Sequence, residues 1–136
     1  MKIPHGTTAW FEMVGSVMVD AATQAALPSG ANISLVERYT DGVDLGTGMA
    51  PGLRFEIVDG KPSFRLGARA HERADITVEV TAAASRRLNT LYGDDPRFHA
   101  ALADLQRTGQ LKIDGDLAGL GDWYDTVHDQ IVHRTA

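Results

Sequence analysis

The stretch GQLKIDGD, residues 109–116, is the part of the sequence that decides the fold. Leu111 and Ile113 alternate with two charged residues between flanking glycines, which predicts a short strand with one apolar face. Residues 117–134 then repeat apolar side chains at helical spacing, which predicts an amphipathic helix with the stripe Leu117, Leu120, Tyr124, Val127 and Ile131. We expect this strand and this helix to pack with their apolar faces together.

Four further strands are predicted upstream, over residues 32–40, 53–58, 63–69 and 74–81. The last is the clearest, because Ile76, Val78 and Val80 fall on one face and polar residues fall on the other. The DGKP segment at residues 59–62 predicts a hairpin connection. The glycine-rich segment GTGMAPG, residues 46–52, predicts a loop, and His71 and Glu72 are expected on the surface in a hairpin turn.

Helices are predicted over residues 7–27, 83–92, 97–107 and 117–134. Thr7 or Thr8 can cap the first of them, whereas Gly15 weakens its interior. The order of elements predicts an α+β fold with a five-stranded, mainly antiparallel sheet that helices cover on one face. The 136 residues fit a single domain over residues 1–136.

Composition and charge exclude several classes of function. The net charge of −5 has no basic cluster, which argues against nucleic acid as a partner. The absence of cysteine excludes thiolate nucleophiles, thiolate metal sites and disulfides. The sequence has no apolar run of the length that a membrane span needs, and its first residues lack the apolar core of a signal peptide, so we expect a cytoplasmic protein.

Three segments resemble the sterol carrier protein 2 family: GLRFEIVDGKP at residues 52–62, ADITVEVT at 74–81 and GQLKIDGD at 109–116. The similarity runs from about residue 32 to residue 131. It implies a curved sheet and helices that enclose an apolar tunnel for fatty acyl chains, acyl-CoA esters or sterols. Residues 96–109 form a longer segment than in the family, at the expected tunnel entrance. The peroxisomal targeting tripeptide of some members is absent.

The resemblance makes the inward-facing apolar residues candidate ligand-binding residues. Trp123 is the better candidate for gating an opening, because it lies at the edge of the apolar stripe of the last helix. The full candidate set is Trp10, Val14, Met18, Phe55, Ile57, Phe64, Leu66, Ile76, Val78, Leu88, Leu102, Leu105, Leu111, Ile113, Leu120, Trp123, Tyr124 and Val127. The same periodicity is equally compatible with a filled core, and it is the resemblance that favours a hollow one.

Two other functions remain open from the residues. The first is a small pocket enzyme of the isomerase or cyclase kind, with Glu37 or His99 as acid or base, because Glu37 is in phase with apolar neighbours on its strand. The second is an association domain that forms a homodimer through a sheet edge or the last helix. No cofactor is expected, and no metal site, because Asp125 and His128 supply two ligands on one helix face and not three.

Overall fold

The computed structural model describes residues 2–43 and 48–136. In this part of the chain, five strands form one sheet, and the helices lie against one of its faces. The helices are α1 (Thr8–Gln24), α2 (Ala82–Leu88), α3 (Pro96–Arg107) and α4 (Val127–Arg134). The strands are β1 (Ile33–Tyr39), β2 (Ala50–Val58), β3 (Lys61–Ala68), β4 (Ile76–Val80) and β5 (Leu111–Asp114). Two 3₁₀ helices, Leu117–Leu120 and Asp122–Thr126, connect β5 to α4.

Side-chain caps fix where the first three helices begin. The Thr7 hydroxyl accepts a hydrogen bond from the backbone N–H of Trp10 at 3.1 Å, and Thr81 does the same for Ala84 at the start of α2. Asp95 caps α3 by accepting from the backbone N–H of Arg97 at 2.9 Å. Each cap satisfies a backbone donor that a helix N-terminus leaves unpaired. Of the two caps predicted for the first helix, Thr7 and Thr8, the structure has Thr7.

The strands are arranged in the order β3-β2-β1-β4-β5. The pairs β2–β3, β1–β2 and β4–β5 are antiparallel, and β1–β4 is parallel. The predicted α+β class with a mainly antiparallel sheet is thus confirmed, although the sheet is mixed and is not closed. The parallel pair arises because the chain leaves β1, forms the β2–β3 hairpin, and crosses back to place β4 on the other side of β1.

The inner face of the sheet packs against the helices. Gly15 of α1 lies so close to the Phe64 ring of β3 that a Cβ at residue 15 would come within 2.5 Å of ring atoms. The glycine that weakens the helix in isolation therefore permits close packing of the helix on the sheet. The larger buried side chains of this core include Trp10, Phe11, Met18, Leu35, Phe55, Ile57, Ile76, Leu105, Leu120 and Trp123.

The outer face of the sheet is covered in its middle by residues 69–75, where the chain crosses from β3 to β4. Glu72 accepts hydrogen bonds from the guanidinium of Arg65 at 2.6 Å, the guanidinium of Arg54 at 2.9 Å and the backbone N–H of Arg69 at 2.9 Å. The prediction of a hairpin turn is therefore wrong, and so is the placement of Glu72 on the surface, whereas His71 is exposed as predicted. Residues 69–75 connect two strands that do not pair with each other, because β3 pairs with β2 and β4 pairs with β1.

The prediction of one continuous helix over residues 117–134 is also wrong. The segment forms two 3₁₀ helices before α4 begins at Val127. Gly121 separates them with φ +116°, a backbone conformation that no α-helix contains. The apolar stripe survives because a 3₁₀ helix also places residues three apart on one side.

Several element boundaries also differ from the sequence prediction, and α1, for example, ends at Gln24 and not at residue 27. The helix predicted to Tyr92 ends at Leu88, where the Asn89 side chain donates to the carbonyl oxygen of Ser85 at 2.8 Å. The predicted loop over residues 46–52 overlaps β2, which begins at Ala50, while residues 44–47 lie outside the described part of the chain. The pairing of β2 with β3 shifts between Ala50 and Leu53, and this bulge accommodates Pro51, which lacks a backbone donor.

Candidate ligand cavity

A cavity of about 230 Å³ lies between the inner face of the sheet and the helices. All four helices, the 3₁₀ segments and every strand of the described chain except β3 contribute to its wall. Most of the wall is aliphatic or aromatic. The side chains from α1 are fully buried, whereas those from α3, Phe98 and Leu102, are half-buried. The helix α3, which the family resemblance leads us to expect at a tunnel entrance, therefore covers the cavity with half-buried side chains.

Ten of the eighteen candidate ligand-binding residues lie on the cavity wall. They come from α1, β4, α2, α3, β5, the second 3₁₀ helix and α4, so the fold brings together positions that are far apart in the sequence. These ten are Trp10, Val14, Met18, Val78, Leu88, Leu102, Leu111, Ile113, Tyr124 and Val127.

The other eight candidates do not line the cavity: six are buried in the core, and Phe64 and Leu66 are half-buried against it. Trp123, for example, is buried against Phe55 with ring centroids 5.6 Å apart, and its indole N–H donates to the Leu120 carbonyl oxygen at 2.8 Å. It lies behind the wall and does not border an opening. The eight are Phe55, Ile57, Phe64, Leu66, Ile76, Leu105, Leu120 and Trp123.

Nine wall residues besides Glu37 are missing from the candidate set. The apolar ones carry a signal in the sequence, because they share strand or helix phase with candidates that were chosen. The three polar ones carry none, since only the docking of α2 and α4 turns them inward. The nine are Leu35, Leu53, Val80, Ser85, Asn89, Phe98, Leu117, His128 and Ile131.

Glu37 places a carboxyl group on the cavity wall. It lies in the central strand β1, where its register partners are Leu53 of β2 and Val78 of β4. The residue keeps some exposed surface because it borders the cavity, but protein atoms surround it closely. Burial raises the pKa of Glu37 from its ordinary 4.5 to about 7, because the apolar surroundings disfavour the charged form. At neutral pH this carboxyl therefore exists in both protonation states.

Most other polar groups of the wall are engaged within the protein. The Trp10 indole N–H donates to the Thr135 hydroxyl at 2.9 Å, and Nε2 of His128 lies 2.7 Å from the Leu91 carbonyl oxygen. The Ser85 hydroxyl lies 2.6 Å from the Tyr39 hydroxyl and 3.1 Å from Nε2 of His5. Burial, and to a smaller extent the charge of Arg86, lower the pKa of His5. These contacts hold the wall together and leave the groups little capacity for a ligand.

His99, the other acid–base candidate, lies on the exposed side of α3 and is not part of the cavity wall. Near the candidate metal ligand His128, Asp129 accepts a hydrogen bond from the Gly93 backbone N–H at 2.7 Å. Within residues 2–43 and 48–136, no three His, Asp or Glu side chains are grouped so that they could hold a metal ion. Over the same residues, no helix has both the length and the hydropathy to cross a membrane.

Comparison with known proteins gives similarity at the level of structure. No protein-family model matches the chain, and no curated protein matches it. A crystal structure of sterol carrier protein 2 is similar with a TM-score of 0.49 and 18% identity, over 96% of this chain and 98% of that one. The solution structure of sterol carrier protein domain 2 of Helicoverpa armigera gives a TM-score of 0.48 and 15% identity, over 98% of each chain.

A third solved structure, the UbiJ-SCP2 ubiquinone synthesis protein, has a TM-score of 0.47 and 17% identity, over 96% of this chain and 93% of that one. Sterol carrier protein 2 structures thus recur among the solved structures that are similar to this chain.

Proposed function

We propose that this protein binds a hydrophobic small molecule in the cavity between the sheet and the helices, and does so without chemistry. The observation that supports the proposal is an apolar cavity of about 230 Å³ whose wall is built from nearly every element of the fold. Apolar side chains that face an unfilled space lack part of their packing contacts, and a hydrophobic ligand restores them. An acyl chain or another apolar group is compatible with this largely apolar wall.

The size of the cavity limits how much of a ligand it holds. A volume of 230 Å³ corresponds to about eight groups of the size of a water molecule, at about 30 Å³ each. Burial of about eight CH₂ groups at about 0.8 kcal/mol each yields about 6 kcal/mol, before the costs of association. A medium-length chain fits within the protein, and a longer ligand extends past α3 toward solvent.

Native mass spectrometry of protein purified from cells tests the proposal. We expect a retained hydrophobic molecule, or one taken up from added 1-decanol, on the wild type. The variant Val78→Phe, which fills the cavity from β4, should carry no such molecule. Equal adducts on both proteins, or no adduct on either under all conditions, would contradict the proposal.

A second candidate function is acid–base catalysis on a hydrophobic substrate, and Glu37 is the observation that favours it. A carboxyl group with a pKa of about 7 can both accept and donate a proton at neutral pH. The two functions differ in what happens to the bound molecule. The test is to incubate the molecule that Glu37→Gln retains with wild-type protein and to measure the mass of that molecule afterwards. An unchanged mass supports binding without chemistry. A change of mass would favour the enzyme.

A further inference from the structure

Two polar groups of the cavity wall, the Glu37 carboxyl and the Tyr124 hydroxyl, have no partner within the protein. Neither forms a hydrogen bond or ion pair with any of the described residues, in contrast to the engaged groups of Trp10, Ser85 and His128. Both residues are half-buried and line the cavity, so a partner for their polar groups has to come from the cavity. The unpaired pair therefore points to a partner that enters the cavity.

The two groups come from opposite sides of the cavity. Glu37 belongs to the central strand of the sheet, and Tyr124 belongs to the second 3₁₀ helix, which lies against α1. Both residues line the cavity, burial raises the pKa of the Tyr124 hydroxyl, and the charge of Glu37 raises it further. Tyr124 stays protonated at neutral pH and can donate a hydrogen bond, whereas Glu37 can accept one.

We propose that Glu37 makes the cavity selective for hydrophobic ligands whose buried end carries a hydroxyl group, and selective against ligands whose buried end is a carboxylate. A hydroxyl donates to the Glu37 carboxyl and retains lone pairs for a donor such as Tyr124. A ligand carboxylate placed beside Glu37 brings two like charges into an apolar space, where both cannot remain ionised. This inference rests on the proposed function, because it assigns the selectivity of the same cavity.

A hydroxyl group fits this site better than an ammonium group. An ammonium ion has three donors and carries a full charge, and its removal from water is repaid only when several acceptors surround it. The wall supplies one free carboxyl group in a largely aliphatic surrounding, formed on the sheet by Leu35, Leu53 and Val78. A neutral hydroxyl requires far less compensation for its removal from water.

Displacement of the neutral fluorescent probe N-phenyl-1-naphthylamine tests the selectivity. The competitors are 1-decanol, 1-methoxydecane, which lacks the donor, and decanoate, which carries the negative charge. At pH 8 we expect wild-type protein to bind 1-decanol about tenfold or more tightly than 1-methoxydecane, because a hydrogen bond to a charged acceptor contributes enough free energy for this difference. Decanoate should bind most weakly, because its charge repels that of Glu37. Decylammonium serves as the fourth competitor.

Two variants isolate the carboxyl group. Glu37→Leu should abolish the preference for 1-decanol over 1-methoxydecane, and Glu37→Gln should strengthen the binding of decanoate about tenfold by removing the like charge. Glu12→Gln, which removes an exposed carboxyl group from α1, is the matched control and should change neither. Circular dichroism confirms that each variant is folded.

The outcomes separate the inference from the function on which it rests. If the probe binds but all competitors displace it equally, or if Glu37→Leu keeps the preference for 1-decanol, the cavity binds ligands and the assigned selectivity is wrong. Tighter binding of decylammonium than of 1-decanol also overturns the choice of a hydroxyl group. If neither the probe nor any competitor binds, the proposed function itself fails, and the selectivity fails with it.

Discussion

The pKa of a glutamate is lowered on the outer face of the sheet and raised on the inner face. On the outer face, burial disfavours the charge of Glu72, but the hydrogen bonds from Arg69, Arg65 and Arg54 outweigh this effect and lower its pKa to about 2. On the inner face, Glu37 has the cavity and apolar neighbours beside it, and burial raises its pKa to about 7. The Glu72 carboxylate is thus paired with three donors on the outer face, although Nε of Arg65 in the same network is buried without a hydrogen-bond partner. The Glu37 carboxyl on the inner face has no partner among the described residues and borders a cavity that a ligand can enter.

This contrast predicts opposite dependences of stability on pH. A carboxyl group whose pKa is raised on folding binds more protons in the folded state, so its unfavourable effect develops as the pH rises from 4.5 to about 7. Glu72 has a lowered pKa, so its stabilising effect is complete well above 4.5 and is lost as the pH falls toward 2. Removal of each carboxyl group should therefore shift the free energy of unfolding in opposite directions at pH 8.

The largest effect is expected for Glu37→Gln. At pH 8 this variant should raise the free energy of unfolding by about 3 kcal/mol, because it removes a charge that folding disfavours by about 2.5 pKa units at about 1.36 kcal/mol each. At pH 4.5 the gain should nearly vanish. Urea unfolding at both pH values, with Glu12→Gln as the control, measures the difference. A gain that does not depend on pH would contradict the assignment to the charge of Glu37.

Other titratable groups near Glu37 should not obscure this comparison. Tyr39 follows it on the same face of β1, Tyr124 faces it from the 3₁₀ segment, and His128 lines the cavity from α4. Burial raises the pKa of both tyrosines, so they stay neutral over this range. His5 has a lowered pKa, and its effect on stability appears as the pH falls. Because these groups are present in both proteins, their effects cancel in the difference between variant and wild type.

An intermediate effect is expected from enlarging one valine on each face of the sheet. Val36 of β1 has no exposed surface and points to the outer face, under the crossing segment. Val36→Phe should lower the free energy of unfolding by about 2 kcal/mol, because a well-packed site cannot accept the added volume. Val78→Phe on the inner face should cost less than about 1 kcal/mol, because the ring enters the cavity. Equal losses in urea unfolding would indicate that the inner face is packed as densely as the outer one.

A smaller effect than that of Val36→Phe is expected for Glu72→Gln, which should lower the free energy of unfolding by about 1.5 kcal/mol at pH 7. The loss is moderate because hydrogen bonds to charged groups are strong, while solvent weakens ion pairs near the surface. Glu79→Gln removes a single ion pair to Arg38 from the same face and should cost about 0.5 kcal/mol. Thermal unfolding of the two variants compares them. A Glu72→Gln loss no larger than that of Glu79→Gln would contradict a shared network around Glu72.

The sequence predicts the order of elements well because alternation and helical spacing are local properties. Strand β4 is predicted from the alternation of Ile76, Val78 and Val80, and the inward direction of Glu37 follows from its phase with Leu35. The parallel pairing of β1 with β4 depends on contacts between distant segments and leaves no local signal. The break at Gly121 has a signal, since glycine disfavours helices, but the regular apolar stripe outweighs it in the sequence.

The cavity wall is predicted only in part, for a related reason. Periodicity identifies which side chains face inward, and it cannot tell whether an inward side chain meets another side chain or an empty space. Phe55 and Val78 are both inward, yet Phe55 packs against Trp123, whereas Val78 borders the cavity. Ser85 and Asn89 follow no apolar pattern and reach the wall only because α2 docks beside β1.

The most direct test of the account is a fluorescence titration of wild type, Val78→Phe and Val36→Phe with N-phenyl-1-naphthylamine. If the inner face of the sheet borders a cavity that accepts hydrophobic molecules, wild-type protein and folded Val36→Phe should bind one probe molecule with saturation, and Val78→Phe should bind it at least tenfold more weakly. Equal binding by Val78→Phe and wild type, or no saturable binding by wild type, would contradict the account.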